Sequence, residues 1–238
     1  MISLKNQVVV VTGAAGNLGM AVARAFLESE AQVACVDKAG DRLPALFPED
    51  SRSAEHLFAV SIDINDPESA KQMVAETLQH FGRLDVLVNT VGGFHSGTPV
   101  HETPLEAWDF MMNLNARTAF IASQAVLPQM LKQGSGVIIH TAARPGLLGR
   151  ANMAAYSASK SAVIRLTESL SAEYKDMGIR VNCIIPGTLD TPQNRADMPE
   201  ADINDWVKPE SLAQVILFLA SDAARDVNGA ALPVYGLT

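Results

Sequence analysis

Tyr156 and Lys160 stand four residues apart in the run YSASK, within a stretch (153–177) that reads as helix, so their side chains share a face. A free phenol titrates near ~10 and is a poor acid–base group at neutral pH. An ammonium beside it favours the phenolate and is expected to lower that value. The same lysine could hold a ribose. Tyr-x-x-x-Lys alone is a weak signal. Preceded by Asn89 and Asn115 and followed by Pro186-Gly187, it becomes specific. Position 143, 13 residues before the tyrosine, holds alanine.

These groups need a scaffold, and the chain supplies short apolar runs alternating with amphipathic segments. The strand candidates are 7–12, 32–37, 57–62, 84–89, 136–141, 179–185 and 230–235. They are rich in Val and Ile and lack polar alternation, as strands covered on both faces do. Helix candidates lie at 17–29, 67–81, 105–132, 153–177 and 209–222, with Pro67 and Pro209 at helix starts. The pattern predicts an α/β fold over 1–238: a single-domain doubly wound parallel sheet of Rossmann type, about seven strands with helices on both faces. Residues 190–208 are the longest weakly patterned segment and read as a functional loop.

The first strand runs into TGAAGNLG. Gly13, Gly16 and Gly19 allow a tight turn whose N–H groups approach a pyrophosphate, with Asn17 and Leu18 opening the helix. Strand two ends at Asp37, 18 residues after Gly19, where a carboxylate accepts ribose hydroxyls and repels a 2′-phosphate. No basic residue occupies 14–17, and Lys38 is the only basic neighbour. The pattern favours NAD(H), with NADP(H) the alternative. Asp63 and Ile64 end strand three and are expected at the adenine.

Composition narrows the partners. The net charge is −8 over 238 residues, with no block of Lys and Arg, which argues against nucleic acid and anionic membrane. Two cysteines, Cys35 and Cys183, lie in strand-like runs and read as buried thiols of a reducing compartment. No signal peptide or membrane span is legible, so a cytoplasmic protein is expected. His56, His80 and His101 lack ligand spacing and read as surface; no metal site is expected. His95 belongs to the Gly-Gly loop at 92–93, and His140 reads as buried. Trp108 reads as core, and Arg144 and Arg150 as solvated loop charges.

Over essentially its whole length the chain resembles the short-chain dehydrogenase/reductase family. LDVLVNTVGG resembles its fourth strand and turn, with Asn89 and Gly92. MMNLNARTAF places Asn115 where the family carries a catalytic asparagine holding a relay water. YSASK supplies Tyr156 and Lys160, and IIPGTLDTP supplies Pro186, Gly187, Leu189 and Thr191 at the nicotinamide and phosphates. The resemblance implies a homodimer or homotetramer through the 105–132 and 153–177 helices, which read as largely buried.

Four departures from the common pattern coincide: Gly16-Asn17 in the glycine turn, Gly-Gly-Phe at 92–94, Ala143 in place of serine, and LDTPQNR followed by MPEAD from 189. Together they resemble the dihydropteridine reductase branch, except that Phe94 stands where that branch has tryptophan. A carbonyl reductase uses a serine hydroxyl on the developing alkoxide. A quinonoid dihydropterin delocalises charge over its ring, so one donor, Tyr156, could suffice. Thr141 cannot replace the serine, lying about 6.8 Å back along the strand at roughly 3.4 Å per residue. The resemblance implies NADH-dependent reduction of a quinonoid dihydropterin, with Phe94, Ala143 and Trp206 at the substrate. Trp206 would pin a lid or anchor its loop. A general carbonyl or 3-ketoacyl reductase is the alternative; a silent NAD-binding protein is a third reading.

Overall fold

The Val- and Ile-rich runs form seven strands: β1 (Val8–Thr12), β2 (Gln32–Asp37), β3 (Leu57–Ser61), β4 (Val86–Asn89), β5 (Gly136–Thr141), β6 (Ile179–Pro186) and β7 (Ala231–Val234). In the computed structural model, which describes residues 2–47 and 56–238, every adjacent pair is parallel. The order is β3-β2-β1-β4-β5-β6-β7. The order reverses between β1 and β4, and in such sheets ligands bind at that switch point, beyond the carboxyl ends of the strands.

Among the described residues the α-helices are α1 (Asn17–Glu28), α2 (Leu43–Leu46), α3 (Pro67–Phe81), α4 (Leu105–Met111), α5 (Thr118–Gln133), α6 (Ala154–Tyr174), α7 (Pro192–Asp197) and α8 (Pro209–Ala220). Lack of alternation in the strands has its expected cause. Val9, Val11, Val33 and Val88 pack with Val22 and Phe26 of α1 and Leu212 and Ile216 of α8. Val10, Ala34, Leu87 and Ile138 pack with Met73 of α3 and Ile121, Val126 and Met130 of α5. Asp66 caps α3 by accepting from the Ser69 N–H at 3.0 Å. Cys35 and Cys183 are buried free thiols. Burial pushes them up to about 12 and about 11, which leaves them unreactive.

The structure departs from the sequence reading in three places. The 105–132 segment is not one regular helix: a π turn, Met112–Arg117, separates α4 from α5. It is also less buried than expected, because Leu105, Trp108, Phe110 and Phe120 are exposed. Trp108 is thus not a core residue. Residues 190–208 are not a bare loop but carry α7, a 3-10 turn at Ile203–Asp205 and a bridge between Leu189 and Val207.

Candidate active site

The glycine turn leaves β1 at the switch point. Gly13 adopts φ +72°, in the left-handed region that favours glycine. α1 then starts with no side-chain cap and no acidic residue in its first turn. Its free N–H groups and positive dipole end suit an anion. Asp37 meets this turn: its carboxylate accepts from the Ala15 N–H at 3.0 Å and the Ala39 N–H at 2.9 Å. Lys38 is paired instead with Asp63 at 3.0 Å. The hydrogen bond from Lys38 is the main reason that Asp63 sits below the usual carboxylate range.

A cavity of about 260 Å³ opens here, walled by Gly13, Gly16, Asp37, Asp63, Ile64 and Gly92 among others. Six of the expected cofactor contacts are therefore on one wall. Thr12, Asn65, Thr90 and Leu114 also line it, and sequence reading does not single them out because nothing in their type marks them. The Leu18 side chain packs in the core, and its N–H lies in the first turn of α1. Asn89 is buried and accepts from the Thr12 hydroxyl at 2.5 Å, tying β4 to β1. It supports the wall rather than forming it.

Gly92 is the joint between this cavity and the tyrosine. A Cβ there would stand 2.9 Å from Asn115 Oδ1 and 3.0 Å from Lys160 Nζ. Asn115, buried in the π turn, accepts from the Gly93 N–H at 3.0 Å. Its Nδ2 donates to the Gly93 carbonyl at 3.1 Å and to Ser159 Oγ at 3.1 Å. Ser159 in turn donates to the Tyr156 carbonyl at 2.8 Å. Asn115 thus binds the Gly-Gly loop to the tyrosine helix. The loop carries Phe94, whose exposed ring lies edge-on to Tyr156 with centroids 4.9 Å apart. Ser159 is a supporting residue that the i, i+3 spacing from Tyr156 could have flagged.

The electrostatics reverse one expectation. Burial pushes Tyr156 up to about 12 rather than down. Lys160 is itself pushed down to about 8 by burial, and its ammonium donates to the Thr141 carbonyl at 2.8 Å. The phenol is therefore held protonated at neutral pH and carries a proton to give, though as a weaker acid than a free phenol. His140 is fully buried with Nε2 3.2 Å from Ser123 Oγ. Burial first, then Lys160, pushes it down to about 4, so it is neutral.

Ala143 is buried at the end of β5, and the turn Arg144–Gly146 after it packs on α6 at Lys160. The Thr141 hydroxyl is buried without a partner, so it is not presented in place of a serine. Pro186 ends β6, and the Gly187 N–H donates to Val234. Leu189 pairs with Val207, and Thr191 caps α7 by accepting from the Asn194 N–H at 3.2 Å. Trp206 is buried, 8% exposed, beneath this segment. Its burial is that of a residue anchoring the segment. Among the described residues no group of His, Cys, Asp and Glu could hold a metal ion, and no helix is long and apolar enough to cross a membrane.

Strand order, switch-point cavity and glycine turn define a Rossmann-type α/β protein. Residues 7–202 match the family model for short chain dehydrogenase, and the chain belongs to that family of oxidoreductases. It is 35% identical to a 2-(R)-hydroxypropyl-CoM dehydrogenase of Xanthobacter autotrophicus, over 97% of this chain and 98% of that one. It is 32% identical to a 3-oxoacyl-[acyl-carrier-protein] reductase of Thermotoga maritima, over 98% of both. A cis-4-hydroxycyclohexanecarboxylate dehydrogenase of Sinomonas cyclohexanicum is 37% identical over 97% of this chain and 95% of its own. The crystal structure of gox2181 superposes with a TM-score of 0.92 at 32% identity, covering 98% of this chain and 96% of that one. The family uses NAD(H) or NADP(H). None of these relatives is named for a pterin.

Proposed function

We propose that this chain is an NADH-preferring oxidoreductase that acts on a small, largely apolar substrate, with Tyr156 moving the proton. The observation that carries this is the Gly92 joint, where the cavity, Asn115 and Lys160 meet beside Tyr156. The nicotinamide would supply the hydride. Gly13, Gly16 and the start of α1 would hold the pyrophosphate, Asp37 the adenosine ribose, and Asp63 and Ile64 the adenine. Lys160 would hold the nicotinamide ribose, with Pro186, Gly187, Leu189 and Thr191 on the far side. Tyr156 delivers its phenolic proton to the substrate atom that gains charge.

Asp37 and Lys38 both line the cavity, and the pairing of Lys38 with Asp63 supports a preference for NADH. Asp37→Ala is expected to raise KM for NADH at least about tenfold, given ~1.5–3 kcal/mol for a hydrogen bond to a charged group. KM for NADPH should rise less, since repulsion of its phosphate is relieved as well. Equal losses for both cofactors would contradict the assignment.

The relatives support the general reading, a secondary alcohol and its ketone. Exposed apolar side chains lie in the segments that follow β4, β5 and β6: Phe94, then Leu147 and Leu148, then Met198 and Ile203. Segment 188–208 holds Asp190, Asp197, Glu200, Asp202 and Asp205 against Arg195 and Lys208. An acidic and partly apolar surface of this kind, beyond the carboxyl ends of the strands, would repel carriers rich in phosphate or carboxylate and favour compact, uncharged substrates. Ala143 and Phe94 favour a second reading, a quinonoid dihydropterin that needs one proton donor. Ala143→Ser separates the two. If the substrate is a ketone, the added hydroxyl is expected to raise kcat by about 10²-fold, the effect of one alkoxide donor. If the wild type turns over a quinonoid dihydropterin generated in situ and the serine changes nothing, the second reading holds. The exposed Leu105, Trp108, Phe110 and Phe120 support the homodimer or homotetramer that the family resemblance implies.

A further inference from the structure

β6 lies between β5 and β7, so a tail leaving β7 must cross the end of β6 to reach the segment that leaves β5. Residues 235–238 make that crossing and touch three segments on the way. The Leu237 N–H donates to the Asp205 carbonyl at 3.0 Å, at the base of the 190–208 segment. The Thr238 hydroxyl accepts from the Thr188 N–H at 3.2 Å and donates to the Tyr235 carbonyl at 2.8 Å. Gly187 fits beneath: a Cβ there would come within 2.4 Å of both Thr238 Oγ1 and the Tyr235 carbonyl. At the far end the Thr238 main-chain oxygen accepts from Arg144 Nη1 at 2.8 Å. The same guanidinium lies over the Tyr235 ring at 4.8 Å. Arg144 follows Ala143 directly, and its turn packs on α6 at Lys160.

An exposed arginine has many rotamers, and two simultaneous partners select one of them. The partners lie 91 and 94 residues away in sequence, so this is a tertiary device and not local turn chemistry. We propose that Arg144 and Thr238 are positioning residues: through residues 235–238 they clasp the segment after Ala143 to the Pro186-Gly187-Thr188 turn and so fix that turn relative to the Tyr156–Lys160 pair. The proposal rests on the reading above that the Pro186-Gly187 turn meets the nicotinamide. The two residues act at opposite ends of the clasp. Neither touches the reacting atoms, so each works by fixing how the nicotinamide side of the site meets the tyrosine side.

The experiment compares Arg144→Ala, Thr238→Val and the double variant in the full chain. Thr238→Val keeps the side-chain shape and the main-chain oxygen that Arg144 uses, and removes the hydroxyl's bonds to Thr188 and to the Tyr235 carbonyl. Amide exchange of Gly187 and Thr188 is read first, because it needs no cofactor. Arg144→Ala is expected to speed exchange at Thr188 although Arg144 touches neither amide. In turnover, each single variant is expected to raise KM for the nicotinamide cofactor and lower kcat, together about tenfold in kcat/KM. The double variant should be no worse than either single one, since either cut opens the same clasp. Arg144→Lys should restore the hydrogen bond and part of the activity. Unchanged exchange in Arg144→Ala, or effects that simply add, overturns the clasp. If exchange responds as expected while cofactor kinetics stay unchanged, the clasp exists but does not position a nicotinamide turn, and the proposal fails at that link. A wild type that neither binds nor turns over NADH overturns the functional reading instead.

Discussion

Tyr156→Phe is expected to lower kcat by about 10²–10⁴-fold, the range for loss of a positioned proton donor. NADH affinity, read by fluorescence titration, should change little, because the phenylalanine keeps the ring that meets Phe94. The pH profile adds a second reading. Burial holds the tyrosine at about 12, so it stays protonated across the working range. The lysine titrates at about 8 and loses its charge above that. The kcat for reduction should therefore be flat at neutral pH and decline as pH rises through about 8. That decline belongs to Lys160. Lys160→Arg, which keeps its charge, should abolish the decline even if its shape slows the reaction. A phenylalanine variant with wild-type turnover would remove Tyr156 from the mechanism.

Gly19→Ala should fail for a different reason. A Cβ at Gly19 would stand 2.8 Å from Ala14 Cα and nearer still to the Gly13 carbonyl oxygen. Both are backbone atoms of the glycine turn and cannot swing aside as a side-chain tip can. Either α1 lifts from β1 or the turn opens. Overpacking of this kind costs ~1–3 kcal/mol or more, and α1 packs against α8 and the sheet. A thermal midpoint lower by roughly 2–4 °C per kcal/mol is expected for a chain of this size. Loss of NADH binding should exceed what the destabilisation explains. An alanine variant with unchanged midpoint and cofactor affinity would mean that the turn can rearrange freely.

Much of the molecule is legible in the sequence where local rules act alone. Unalternating Val and Ile runs give all seven strands to within two residues at each end, because burial on both faces leaves no polar period. The Gly13–Gly19 spacing and Asp37 lead to the cavity, and the Tyr156–Lys160 spacing to a shared helix face. What stays illegible is set by the tertiary environment. The sign of the Tyr156 shift depends on how much water reaches the phenol and on where Lys160 points, and the lysine points at a main-chain oxygen that no residue type announces. The stretch MMNLNAR reads as ordinary helix, and nothing in its apolar spacing announces a π turn. Arg144 reads as a solvated loop charge because its partners are far off in sequence. The finer likeness at Gly92–Phe94, Ala143 and 189–195 lies outside the sheet and the long helices, where short matches carry less than the frame does.

The π turn at Met112–Arg117 has a consequence for how this site can vary. Such a turn holds one residue more than an α-helix would need, and regular winding is the lower-energy state for an isolated segment. Deleting one residue there would let α4 and α5 join as a continuous helix. It would also swing Asn115 about 100° around the helix axis, one residue's rotation at 3.6 per turn, and away from Gly93 and Ser159. In these six residues, a better helix and a formed site are opposing outcomes.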